Sequence, residues 1–145
     1  PASPSGWRVT LPQWMGDGGL RTPEFIARPR RGPVTGAVHG TSYVMFDLTP
    51  QQFESLTKLT AALGAIFPGM PLDCPRGSDG APRSTALSTA ELAEFRGVLG
   101  HLHVTGGKID PGPAFDWDGL LADARRLQPS ATAGAACASV GAAAR

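Results

Sequence analysis

From Val34 to Leu48 the chain alternates, with Tyr43, Met45 and Asp47 on one side of an extended backbone and Val44, Phe46 and Leu48 on the other. Aromatic and β-branched residues dominate, so the segment predicts a strand, with Gly40-Thr41 placed to turn a hairpin. The period then changes. Phe53, Leu56, Leu59, Leu63 and Ile66 recur at helical spacing, with Thr49 able to cap, Pro50 suited to the first helical position and Pro68-Gly69 as a stop. That stripe is expected to face the core. Residues 68–87 are rich in Pro, Gly and Asp and read as a long loop, a class more often functional than idle. Ser88 predicts the cap of a short helix running to Phe95, with Glu91 as its capping-box partner. The apolar run Val98–Val104 reads as a short buried strand, residues 105–115 as a second Gly/Pro-rich loop, and residues 116–127 as a helix. Helices alternating with strands predict an α/β domain with long Pro/Gly-rich loops.

Composition sharpens this outline. With 145 residues there is room for one domain or part of one, and 19 glycines and 14 prolines require extensive loops. Residues 1–35 read as a Pro/Gly-rich arm whose Arg28-Pro29-Arg30-Arg31 run is a solvated linker, residues 36–127 as the folded portion, and residues 128–145 as an Ala-rich flexible tail. A net charge of +1 provides no field for recruiting nucleic acid or an anionic membrane. No apolar stretch reaches the roughly 20 residues of a membrane span, so the chain reads as soluble. Cys74 and Cys137 are too few and too far apart for a disulfide framework or a cysteine-rich metal site, and read as two unpaired thiols.

The chemistry concentrates in one segment, Gly100-His-Leu-His-Val-Thr-Gly-Gly-Lys-Ile-Asp-Pro-Gly-Pro-Ala-Phe-Asp-Trp117. On a strand His101 and His103 would share a face, and the following loop could return Asp110 to either imidazole. Two imidazoles and a carboxylate suit zinc, and the Lys108 ammonium could meet negative charge on a carbonyl oxygen. The competing reading makes both histidines hydrogen-bonded core residues and Asp110 a turn cap. A serine-hydrolase reading lacks a Gly-x-Ser-x-Gly elbow, and Gly106-Gly107-Lys108 lacks the glycine spacing and following Ser/Thr of a phosphate loop.

This segment, with its Gly-His, Lys-x-Asp-Pro-Gly-Pro and following aromatic, resembles the C-terminal active-site signature of zinc-dependent N-acetylmuramoyl-L-alanine amidases, the type-2 amidases related to peptidoglycan recognition proteins. Met15-Gly-Asp-Gly-Gly-Leu-Arg-Thr-Pro-Glu-Phe25 and Leu48-Thr-Pro-Gln-Gln-Phe53 extend the resemblance to roughly residues 9–127. It implies a Zn2+-activated water that cleaves the amide between N-acetylmuramic acid and L-alanine of peptidoglycan or a muropeptide. By position, His101 and Asp110 match zinc ligands and Lys108 the oxyanion-stabilising residue; His103 and His39 are weaker ligand candidates. No His-bearing strand followed by a Gly-x-Glu strand occurs in residues 1–96. The expectation is therefore the C-terminal part of a mixed-sheet amidase domain, completed by an N-terminal half or a partner chain. A periplasmic or cell-wall setting is implied more readily than a cytoplasmic one. The alternative is a non-catalytic structural or binding subunit that retains an amidase half-fold.

Overall fold

The structure is a computed structural model that describes residues 6–8, 10–16 and 25–128. Its elements follow from local signals. Val34–Val38 (β3) and Thr41–Met45 (β4) form an antiparallel hairpin in which Val38 pairs with Thr41 and Val34 with Met45. The turn is His39-Gly40, one residue earlier than the sequence suggested, and both carry positive φ, 51° and 79°, as a tight two-residue hairpin turn requires. A second antiparallel pair joins Trp7–Arg8 (β1) to Ile26–Ala27 (β2). The fold is thus a mixture of helices and small two-stranded sheets, α/β in the broad sense.

Thr49 begins Pro50–Ile66 (α1) as expected: its hydroxyl accepts from the Gln52 N–H, and the Gln52 side chain accepts from the Thr49 N–H. Ser88 caps Thr89–Glu94 (α2) in the same reciprocal manner with Glu91. Asp116 caps Trp117–Leu127 (α4) by accepting from the Gly119 N–H.

The buried face of α1 is not its leucine stripe. Phe53, Thr57, Thr60, Ala61 and Gly64 are buried, whereas Leu59 is 54% exposed and Ile66 67%. Close packing is the reason. The helix lies against α4 and the chain before Cys74, and a Cβ at Gly64 would fall 2.8 Å from Leu72 Cδ2. Only small side chains fit such an approach in the C-terminal half of the helix, so Leu59, Leu63 and Ile66 turn outward there, while Phe53 is buried and Leu56 half-buried nearer its start. The core joins Ala61, Leu72 and Cys74 to Trp117, Leu121 and Ala124. Cys74 is a free, buried thiol whose pKa burial pushes up; Cys137 lies outside the described residues, as does all of the expected tail after Gln128.

The basic run is not a solvated linker. Arg30 and Arg31 both dock on Asp47, whose side chain is 1% exposed, with nitrogen–oxygen distances of 3.1 and 2.9 Å. Arg30 also reaches Asp116 at 3.3 Å and stands over the Phe53 ring. These contacts pin residues 30 and 31 to the end of β4 and the starts of α1 and α4. Among the described residues no helix is long and apolar enough to cross a membrane.

Candidate functional site

The apolar run expected as a strand is instead a single helical turn, His101–Val104 (α3). A side chain decides it. The Gly100 N–H donates to Nδ1 of His103 at 3.0 Å, closing the turn from within, and such a local bond outweighs the β-preference of a short run. Residues two apart on a helical turn diverge, so the histidines do not share a face.

His103 is fully buried against Trp117, with ring centroids 5.2 Å apart. Because Nδ1 accepts from Gly100, the proton sits on Nε2, which donates to the Arg83 carbonyl at 2.8 Å. Both nitrogens are thereby engaged within the fold, which leaves neither for a metal. Burial is the main cause of a pKa below the ordinary 6.5, so the neutral ring is the native one. A group with a depressed basic pKa binds its proton more weakly when folded than when unfolded. Stability from His103 is therefore complete above about pH 6.5 and declines as the pH falls below it. Proton NMR should show the His103 ring still neutral at pH values where an unfolded histidine is protonated, with the thermal midpoint falling in that window. Titration at the ordinary value would contradict the buried, doubly bonded ring.

His101 points the other way. It is exposed, and its Nδ1 lies 3.3 Å from Oδ2 of Asp110, also exposed. The loop makes this pairing: the Leu102 N–H donates to the Asp110 carbonyl at 2.9 Å, and the Thr105 N–H to the His101 carbonyl at 3.2 Å. Asp110 returns beside one imidazole, His101, and not beside His103. The chain then continues through Pro111 to Gly112, which has φ 80° and faces Met45 of β4, so the hairpin backs the loop.

Lys108 is exposed on this loop, and its ammonium makes no ion pair with a described residue. Its carbonyl accepts from Nε2 of His39, at the hairpin tip, at 2.9 Å. His39 thus lies at the same end of the molecule and touches the loop backbone. Its part was legible only as an isolated histidine next to Gly40, because nothing local signals a bond across 69 residues.

Two ligands at about 2.05 Å from a tetrahedral zinc stand roughly 3.3 Å apart, and His101 Nδ1 and Asp110 Oδ2 are separated by 3.3 Å. The same separation is that of a plain imidazole–carboxylate ion pair, so the pair is compatible with one edge of such a site without being specific to it. Among the described residues no group of three His, Cys, Asp or Glu side chains is gathered as a metal site would need.

Comparison of the chain with family models, curated proteins and solved structures finds no match.

Proposed function

We propose that the chain is the C-terminal portion of a zinc-dependent N-acetylmuramoyl-L-alanine amidase, with His101 and Asp110 as two of its metal ligands and Lys108 as its oxyanion partner. The observation that carries this reading is the 3.3 Å approach of an exposed imidazole and an exposed carboxylate, within the Gly-His to Asp-Pro-Gly-Pro pattern. Zinc, when bound, supplies a polarised water at neutral pH. His101 and Asp110 would hold one edge of the metal's coordination, and Lys108 lies on the same loop two residues before Asp110. The exposed Lys108 ammonium, having no carboxylate partner among the described residues, is free to meet negative charge on a substrate carbonyl oxygen. His103 serves the site from behind by fixing α3. In this reading the chain belongs to a mixed-sheet amidase domain, its third ligand comes from a further segment or partner chain, and its setting is periplasmic or wall-associated.

Zinc content and amide cleavage on muropeptides test this, measured with the chain alone and with the remainder of the domain supplied. Asp110→Ala and His101→Ala should each lower zinc affinity at least about a hundredfold, since even outer-shell changes cost tenfold or more. Unchanged zinc uptake in both variants, or no amide cleavage by the completed protein, would sink the reading.

A second reading, a non-catalytic structural or binding subunit, is favoured by the two-donor set among the described residues. Hydrolysis of muropeptides by the chain on its own would dispose of it.

A further inference from the structure

We infer that His39 is a positioning residue for the His101–Asp110 pair, latching the hairpin tip to the loop that returns Asp110. The inference rests on the amidase reading for its consequence, but its physical content is independent of any metal. Three observations carry it.

The first is the contact itself. His39 Nε2–H donates to the Lys108 carbonyl at 2.9 Å across 69 residues of sequence. Lys108 stands two residues before Asp110, and the segment between has its other backbone anchor at Leu102 N–H to Asp110 O, 2.9 Å. Lys108 is also tied to the end of α3, its N–H donating to the Thr105 carbonyl at 3.3 Å, and the latch adds a second hold on its carbonyl from the hairpin.

The second is the residue type. His39 occupies φ 51° in the two-residue turn, a position where Asn, Asp or Gly serves the backbone as well or better. None of those side chains is long enough to bond the loop as an imidazole does. Histidine is itself among the side chains that tolerate this conformation, and of those it is the one with the reach to bond the loop.

The third is the rigidity behind it. The His39 N–H donates to the Ser84 carbonyl at 3.0 Å, and the neighbouring Arg83 carbonyl accepts from His103 Nε2 at 2.8 Å. The hairpin tip, residues 83–84, α3 and the Lys108 loop thus form one hydrogen-bonded ring. His39 closes it at the Lys108 carbonyl, so its loss would leave Lys108 held only through its own N–H to Thr105 and loosen Asp110 relative to His101.

Hydrogen exchange at the amides of residues 106–110, together with titration by zinc alone, tests the latch in the full chain. His39→Asn keeps a residue suited to the turn but withdraws the donor; His39→Gln places an amide N–H within reach of the same carbonyl. His39→Asn should fold, exchange faster in residues 106–110 and bind zinc about tenfold to a hundredfold more weakly. His39→Gln should recover most of both. Wild-type exchange and zinc affinity in His39→Asn would overturn the inference, as would equal losses in Asn and Gln. If the wild-type chain takes up no zinc, the amidase reading suffers, and the exchange comparison alone decides the latch. Should His39→Asn fail to fold, His39→Gln must still protect the loop, or the inference falls.

Discussion

A Gly112→Ala variant is expected to lose about 2–5 kcal/mol of folding free energy, a large part of the roughly 5–15 kcal/mol that holds a domain together. Two effects add. Gly112 has φ 80°, where a side chain costs about 1–2 kcal/mol. The new methyl would also fall within the contact distance of the Met45 sulfur, and overpacking of this kind costs about 1–3 kcal/mol more. Denaturant unfolding of Gly112→Ala, Met45→Ala and the double variant separates the two. Removing the thioether should relieve the overlap and leave the backbone strain, so the double variant should be more stable than the sum of the singles by about 1–3 kcal/mol. Strict additivity would mean that Met45 and the loop are not in contact.

The second large effect is expected at Arg30. Replacing it with methionine keeps much of its volume over Phe53 but leaves the Asp47 carboxylate, 1% exposed, with Arg31 and the Leu48 N–H as its remaining partners. Removing one partner of a buried ion pair costs about 3–5 kcal/mol where no other cation remains. With Arg31 in place, about 2–4 kcal/mol is the expected loss by denaturant unfolding. Arg31→Met should cost less, within about 1 kcal/mol, because its side chain is 50% exposed and water replaces much of the contact. The double variant should exceed the sum, since it strips the carboxylate of both cations. Raising salt should change the Arg30→Met difference little, because the pair is shielded from solvent ions. Equal, small losses at Arg30 and Arg31 would show that Asp47 is not buried as described.

The helix ends were the most legible part of the fold. Thr49 and Ser88 cap where the pattern placed them, because a cap depends on residues within one turn of each other, whereas Asp116, read as the first residue of its helix, proves to be its cap. The face of α1 was not legible. Thr57, Thr60, Ala61 and Gly64 look unremarkable in sequence, and only the closeness of α4 and Leu72 makes smallness the property that buries them. The α3 turn was hidden for a similar reason. Val98–Val104 has the composition of a strand, but His103 Nδ1 satisfies the Gly100 N–H and commits the run to a turn. At the candidate site, the return of Asp110 to an imidazole could be anticipated from the loop's length. Which imidazole it meets depended on that same turn, which rotates His103 into the core and leaves His101 outside. Arg30 and Arg31 were misplaced because their partner, Asp47, lies 16 or 17 residues away, beyond the range at which charge runs are read.

The Asp110 loop leaves and re-enters the fold through neighbouring residues, from the His101 carbonyl at one end to the Leu102 N–H at the other. Its entrance and exit are therefore fixed by α3 rather than by how many residues lie between. Inserting one residue near Gly106-Gly107 would add only about 0.1 kcal/mol of closure entropy, since that cost grows with the logarithm of length. The fold would therefore tolerate a longer loop, but an insertion there would break the turn that joins the Lys108 N–H to the Thr105 carbonyl and shift the carbonyl that His39 holds, so the length of this stretch is set by the site and not by the cost of closing it.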